Sequence, residues 1–303
     1  VKSRSALLHF KPRLQSGWFW SFLFLLPALC IYIVFLFLPL VQTIQLSFTD
    51  WNGLSPDMHY IGLSNYKDIL SDERFLWSLI RTLAFVGMHL VLGVFGGLIM
   101  AVFISQVRWG QSLFRLMLFI PHILSLAVVG ILWTQIFNPQ FGLLNTMLKA
   151  VHLDSLIHPW LGDKLTVLPS IGVASGWHAF GLYMVIFVAG IQMIDKHLYE
   201  AAYMDGASSW KKFWHVTVPG LHNTMSFVLT IAIISGLKGF GTVWAMTRGG
   251  PVNHSELAVV YIWRSAFEQG ELGKSMAGSI IFGIIVILFT VFFNQLRDRK
   301  GRM

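Results

Sequence analysis

The chain has 303 residues, 55% of them hydrophobic and only 12% charged, with a mean hydropathy of +0.65. Soluble domains carry about 25% charged residues, so an ordinary aqueous core is excluded and lipid is the implied solvent. The net charge of +8 comes from Lys and Arg placed between apolar runs, which excludes a nucleic-acid partner, and the single cysteine, Cys30, excludes an internal disulfide and a four-cysteine zinc site.

The N-terminus, residues 1–17, is a basic tail with Lys2, Arg4, Lys11 and Arg13. The apolar run from Trp18 is longer than the core of a signal peptide and lacks a small-residue cleavage site after it, so it is read as a retained first span. A membrane helix needs roughly 20 mostly apolar residues. Six stretches qualify: 19–46, 81–105, 113–137, 167–193, 224–247 and 273–296. Irregular backbone cannot face lipid, so each is expected to be helical, with Pro27, Pro39, Pro121 and Pro169 as kinks or helix starts. Residues 18–303 thus form one six-span, all-α membrane domain with both termini on one side.

Charge asymmetry between the loops chooses that side. With the N-terminus inside, the inner segments hold Lys2, Arg4, Lys11, Arg13, Arg108, Arg115, Lys196, Lys211, Lys212, Arg297, Arg299, Lys300 and Arg302. The outer segments hold only Lys67, Arg74, Arg81, Lys149, Lys164, Arg248 and Arg264. Both termini are therefore expected in the cytoplasm of a multi-pass protein of the cell membrane.

The inner loop 194–223 is unusually ordered in composition. It reads as a short helix, a glycine break, a second short helix and a proline before the next span. Ala201 and Ala202 give a bare face that a partner can approach, and Glu200 and Asp205 supply charge. Gly206 can take the positive φ that ends a helix. Ser208 or Ser209 can cap the second helix. Phe213 and Val216 give that helix an apolar side, and Pro219 suits a first turn. Any one fragment also fits an amphipathic pair lying on the membrane surface; the whole string is more specific.

Glu200-Ala-Ala, Asp205-Gly-Ala207, Phe213, Val216-x-Val-Pro219 and Leu221 occur in order between two spans. This string resembles the EAA loop of the permease subunits of ABC importers. The resemblance extends to Tyr60-Ile-Gly-Leu-Ser-Asn-Tyr66 in the first outer loop, and to Gly249-Gly250-Pro251 followed by Tyr261 through Phe267 in the last. It is similar to the carbohydrate-uptake branch, and within it to the maltose-type larger permease. Gly241 and Arg81 depart from the pattern of many relatives, which bears on the identity of the solute.

The resemblance implies a bundle forming half of a translocation pathway for a sugar or polyol, with a second related permease as the other half. It implies two ATP-binding subunits at the inner loops of the complex, with the loop containing Glu200, Ala201, Ala202, Asp205, Gly206, Ala207, Phe213, Pro219 and Leu221 docking into a cleft on an ATP-binding subunit. An extracytoplasmic solute-binding protein docks on the outer loops. This chain is a transport subunit with no cofactor of its own; ATP and magnesium belong to the partner subunits. The alternatives are a permease for another solute, such as glycerol phosphate, and a secondary transporter. The latter calls for coupling carboxylates within the spans, and the six stretches contain no Asp or Glu.

Glu271-Leu-Gly273-Lys274-Ser275 looks like the tail of a phosphate-binding loop, but Glu268 stands where its first glycine is needed. The eleven histidines form no paired metal spacing, and no catalytic dyad or triad is evident. In carbohydrate permeases the solute site lies on the spans flanking the EAA loop. The matching residues are Trp177, His178 and Tyr183 before it, and Ser235, Gly236, Lys238, Gly239 and Thr242 after it. At about 100° per residue, Ser235, Lys238, Gly239 and Thr242 share one helical face. That face suits either a solute cavity or close helix packing through small residues.

Overall fold

The computed structural model describes residues 17–107 and 109–300. The basic tail lies outside the described residues apart from Gly17, as do Arg108 and residues 301–303. Among the described residues the fold is helical, and the only β pairing is an isolated bridge between Thr49 and Tyr60.

Four helices are long and apolar enough to cross a membrane: α1 (Trp20–Leu46), α3 (Glu73–Gln106), α7 (Val167–Gln192) and α13, whose apolar part is Leu272–Phe293. Two bent pairs raise the number of spans to as many as six: α4 (Gln111–Ile123) with α5 (Leu126–Ile136) at 95°, and α9 (Ser209–Gly220) with α10 (His222–Leu237) at 71°. The shorter helices are α2 (Ser64–Ser71), α6 (Leu143–Ala150), α8 (Lys196–Met204), α11 (Phe240–Thr247) and α12 (Ala258–Phe267).

Two expected spans are therefore not continuous helices. The stretch 113–137 breaks at Leu124–Ser125. Ser125 is extended and its hydroxyl caps α5 by accepting from the Val128 N–H. The carbonyl of Leu124, freed by the break, accepts from His178 Nε2 at 3.1 Å. A neighbouring helix thus satisfies the exposed backbone, the condition for a break at membrane depth. The stretch 224–247 breaks at Lys238–Gly239, between α10 and α11.

Helix α7 is the hub: 61% of its most apolar window is buried, against none of α1. Small residues let its neighbours approach closely. A Cβ on Gly176 would collide with Leu92 of α3, one on Gly181 with the Leu118 carbonyl of α4, and one on Gly190 with Thr224 of α10. The core therefore lies along α7, with Val94, Leu98, Tyr183, Met184, Phe187, Leu221 and Val228 buried in one cluster.

The end of the bundle remote from α8 and α9 is held by polar contacts. Asn65 is buried, and its Nδ2 donates to the carbonyls of Ser47 and Thr49 at 2.9 and 2.7 Å. The Gly-Leu-x-Asn-Tyr element is thereby clamped to the end of α1. Gly273 donates its N–H to the Trp51 carbonyl at 2.9 Å and has no room for a Cβ against Thr49. Lys274 reaches Asp72 at 3.3 Å. The loop-like Gly-Lys-Ser string thus serves packing and an ion pair. Asp72 also caps α3 and accepts from the Tyr261 hydroxyl at 2.5 Å. Burial acts to raise the Asp72 carboxyl, but the bonds from Tyr261, Lys274 and the Phe75 N–H outweigh it and hold the group below the usual carboxylate range. Burial, reinforced by this acceptor, pushes Tyr261 up to about 12.

Candidate functional site

The segment between α7 and α10 forms two short helices joined at a glycine. Asp195 caps α8 by accepting from the His197 N–H. Gly206 takes φ +69°, and the Ala207 N–H bonds back to the Ala202 carbonyl at 2.9 Å, closing a Schellman turn. Ser208, of the two serines considered, caps α9, accepting from the Lys211 N–H at 3.3 Å. Glu200, Ala201, Asp205, Gly206 and Pro219 are exposed, and Ala202 and Ala207 are half-buried. Glu200 carries a contact from His197 at 3.2 Å.

The remaining residues of the string turn the other way. Leu221 is fully buried under Gly190, and Phe213 and Val216 pack against the main core cluster. They root the segment in the bundle, Leu221 wholly and Phe213 and Val216 in part. The Tyr199 hydroxyl meets Thr217 Oγ1 at 3.0 Å, tying α8 to α9. The result is an exposed face on one side, a foot packed into the bundle on the other, and a left-handed turn between. A π turn at Phe213–Thr217, which hydropathy does not reveal, precedes Pro219.

The four residues expected to share one helical face, Ser235, Lys238, Gly239 and Thr242, are split by the break between α10 and α11. Ser235 and Lys238 are exposed together at the end of α10. Gly239 packs on Phe85, Gly236 packs on Val86, and Thr242 is buried on the far side of the break. The expected continuous stripe through Thr242 is thus interrupted where α10 ends, and Gly236, Gly239 and Thr242 serve helix contact. Trp177 lies edge-on to Trp133 at 5.7 Å. His178 holds the α4–α5 break, and His122 Nδ1 lies 3.3 Å from the His178 carbonyl.

Tyr183 is buried but not isolated. Its hydroxyl lies 2.9 Å from His89 Nε2 and also bonds Ser235. His89 Nδ1 in turn lies 2.9 Å from Ser175 Oγ. A polar chain therefore runs from exposed Ser235 through Tyr183 and His89 to Ser175, joining α10, α7 and α3. His89 immediately precedes a π turn, Leu90–Phe95, a distortion that often marks functional sites. Sequence reasoning missed His89 and Ser175. The available signal was a lone His in an apolar span facing a hydroxyl-bearing helix.

Two short helices rooted in a helical bundle, beside apolar stretches broken near their middles, fit a membrane permease. Residues 93–300 match the family described as the inner membrane component of binding-protein-dependent transport systems, and the chain belongs to that family. It is 34% identical over 282 residues to the probable ABC transporter permease protein YurN of Bacillus subtilis, covering 92% of this chain and 95% of that one. It is 30% identical to the multiple sugar-binding transport system permease protein MsmF of Streptococcus mutans, covering 93% and 96%. The sn-glycerol-3-phosphate transport system permease protein UgpA of Agrobacterium fabrum is 31% identical, with 92% and 94% covered. The fold matches a chain of a bacterial ABC transporter involved in the import of alginate, an acidic polysaccharide, at a TM-score of 0.82 and 23% identity, covering 94% and 97%. The protein is thus an ABC importer permease subunit, a transport component of a multi-pass membrane complex.

Proposed function

We propose that this chain forms half of the translocation pathway for a sugar or polyol, with a second permease as the other half. Six spans with both termini in the cytoplasm follow from counting α4 with α5 as one crossing and α10 with α11 as another, and from the excess of Lys and Arg on the α8–α9 side. Of the two ATP-binding subunits of the complex, one docks on the exposed face of α8 and α9 of this chain, and a solute-binding protein docks at the opposite end. ATP and magnesium act on those partner subunits.

The observation that carries this reading is the division of labour in residues 194–223. Glu200, Ala201, Asp205 and Gly206 are exposed while Leu221 is fully buried in the cluster built on α7. A partner that moves the exposed face must move the foot, and the foot is packed on the helix that carries Trp177, His178 and Tyr183. Closure of the ATP-binding subunits would rock the spans around a central site, giving alternating access. Sugar as cargo is supported by MsmF and by the donors exposed at the α10 break, Ser235 and Lys238. Such groups pair with hydroxyls in a mostly apolar cavity.

The test is reconstitution of the whole complex with its binding protein in proteoliposomes. Sugars and polyols that the binding protein retains should be transported and should stimulate ATP hydrolysis. Stimulation by glycerol phosphate alone would replace the sugar reading with the phosphate-ester one.

A further inference from the structure

His89 is a buried imidazole in an apolar span, and both of its nitrogens are engaged by one neighbouring helix. Nδ1 lies 2.9 Å from Ser175 Oγ, and Nε2 lies 2.9 Å from the Tyr183 hydroxyl, both on α7. Long side chains in helices lean toward the N-terminus, which carries the Tyr183 hydroxyl back toward Ser175. Gly93, one turn beyond His89, makes room for the tyrosine: a Cβ there would stand 3.1 Å from Tyr183 Cε2. The His89 ring meets the Tyr183 ring edge-on at 5.9 Å. The Tyr183 hydroxyl reaches on to Ser235 of α10.

Counting protons gives this chain a direction. The six apolar stretches contain no Asp or Glu, and a buried imidazole without a carboxylate stays neutral. It then has one N–H donor and one bare acceptor nitrogen. With the proton on Nδ1, His89 donates to Ser175 and Tyr183 donates to Nε2. The buried Ser175 O–H is then stranded, because Ser175 has no other hydrogen-bond partner among the described residues. It does not turn to a carbonyl of its own helix, as Ser105 does to Ala101 at 2.7 Å. A buried donor without an acceptor is costly. With the proton on Nε2, Ser175 donates to Nδ1, Nε2 donates to the Tyr183 oxygen, and Tyr183 donates to Ser235 Oγ. Every buried proton is used, and the one left over is the Ser235 O–H, at an exposed position.

We propose that His89 is held as its Nε2–H tautomer and, through Tyr183, fixes Ser235 as a hydrogen-bond donor at the α10 break. His89 is a positioning residue, buried and without contact to the solute. Lys238, exposed one turn on, carries an ammonium that can only donate. The break thus offers donors, and the group it takes is an acceptor oxygen of the solute. That the solute meets Ser235 rests on the transport reading above; the tautomer does not.

The tautomer is read by solid-state nitrogen-15 NMR of the histidine-labelled complex in lipid, with the His89 signals assigned by their loss in His89→Gln. The expected ring has a protonated Nε2 and a bare Nδ1. A protonated Nδ1 overturns the direction, whether Nε2 carries a proton or not.

The link to the route is read as a double-mutant cycle in proteoliposomes. Tyr183→Phe keeps the ring under Gly93 and removes the relay. Transport kcat/KM should fall about fivefold, but less than about twofold when Ser235→Ala is already present. A hydroxyl with a merely structural role costs the same in both backgrounds, and that result overturns the link. His89→Gln keeps a donor and an acceptor and should retain more transport than His89→Leu; equal losses overturn the role of His89. The probe is the labelled sugar that the wild-type complex takes up, or labelled sn-glycerol 3-phosphate if that is what it transports. A change of solute therefore corrects the sugar reading while the relay is still tested.

Discussion

Arg74 grips Glu256 through Nε and Nη2, both at 2.6 Å, across 182 residues of chain. The Glu256 side chain is fully buried and also accepts from Arg264 Nη1 at 3.2 Å. Arg81, two turns further along α3, lies within electrostatic range of the same carboxylate. One anion thus holds the start of α3, the Gly-Gly-Pro loop and α12 together. Removing one partner of a buried pair costs about 3–5 kcal/mol. Arg74→Met, which leaves Arg264 in place, should fall at the lower end, about 3 kcal/mol. Glu256→Gln should cost more, because three guanidiniums then face one another. Thermal unfolding of the purified complex checks the order; a Glu256→Gln melting temperature at or above that of Arg74→Met would refute the single-anion account.

The turn at Gly206 should matter through its backbone and not its space. A Cβ there meets nothing within 4 Å, yet φ is +69°. Gly206→Ala should cost about 1 kcal/mol in the segment and lower coupling modestly. Gly206→Pro cannot take that φ and removes the N–H that bonds the Tyr203 carbonyl. It should abolish solute-stimulated ATP hydrolysis while leaving membrane insertion intact. Wild-type stimulation in a correctly assembled Gly206→Pro complex would remove residues 194–223 from the coupling role.

The Asp72 cluster gives a pH dependence with a defined sign. The folded Asp72 carboxyl sits below its ordinary value of 3.8. Its contribution to stability is therefore fully present above 3.8 and is lost as pH falls from there through the folded value. Tyr261, at about 12 against an ordinary 10.0, contributes stability below pH 10 that is lost as pH rises from 10 toward 12. Asp72→Asn should flatten the acid limb, and Tyr261→Phe the alkaline one. Unfolding midpoints measured across pH decide it; an acid limb unchanged in Asp72→Asn would show that the carboxyl is not the linked group.

Hydropathy made most of the bundle legible but not its interruptions. Leu124–Ser125 and Lys238–Gly239 lie in stretches apolar enough to read as unbroken helices. What permits the first break is a hydrogen bond from His178, 54 residues away. What accompanies the second is Gly236 and Gly239 closing on Val86 and Phe85 of another helix. Periodicity within one segment carries neither fact. The segment 194–223 was readable because its signals are local: a cap, a left-handed glycine and an apolar pair. The Ser235–Tyr183–His89–Ser175 chain was only half visible, since three helices must pack before its members meet. Glu256 and Arg74 likewise look like ordinary loop charges until the fold buries them.

Lys238 carries the last prediction. It sits at the C-terminal end of α10, a 16-residue helix and so about 24 Å long, in a hydrocarbon layer about 30 Å thick. Facing lipid there would cost roughly 2.5–3.5 kcal/mol on insertion scales. Its side chain is exposed, has no hydrogen-bond or ion-pair partner among the described residues, and lies beside exposed Ser235. Snorkelling along α11 would take it past Thr242, which is buried. The prediction is that Lys238 faces the solute route, where its ammonium can donate to solute hydroxyls. Lys238→Met keeps length and apolarity, so assembly should survive. A lost hydrogen bond to a charged group is worth about 1.5–3 kcal/mol. Transport kcat/KM in proteoliposomes should therefore fall by roughly ten- to a hundredfold, with the affinity of the solute-binding protein unchanged. Wild-type transport kinetics in the Met variant would place Lys238 outside the route and leave its charge to lipid phosphates alone.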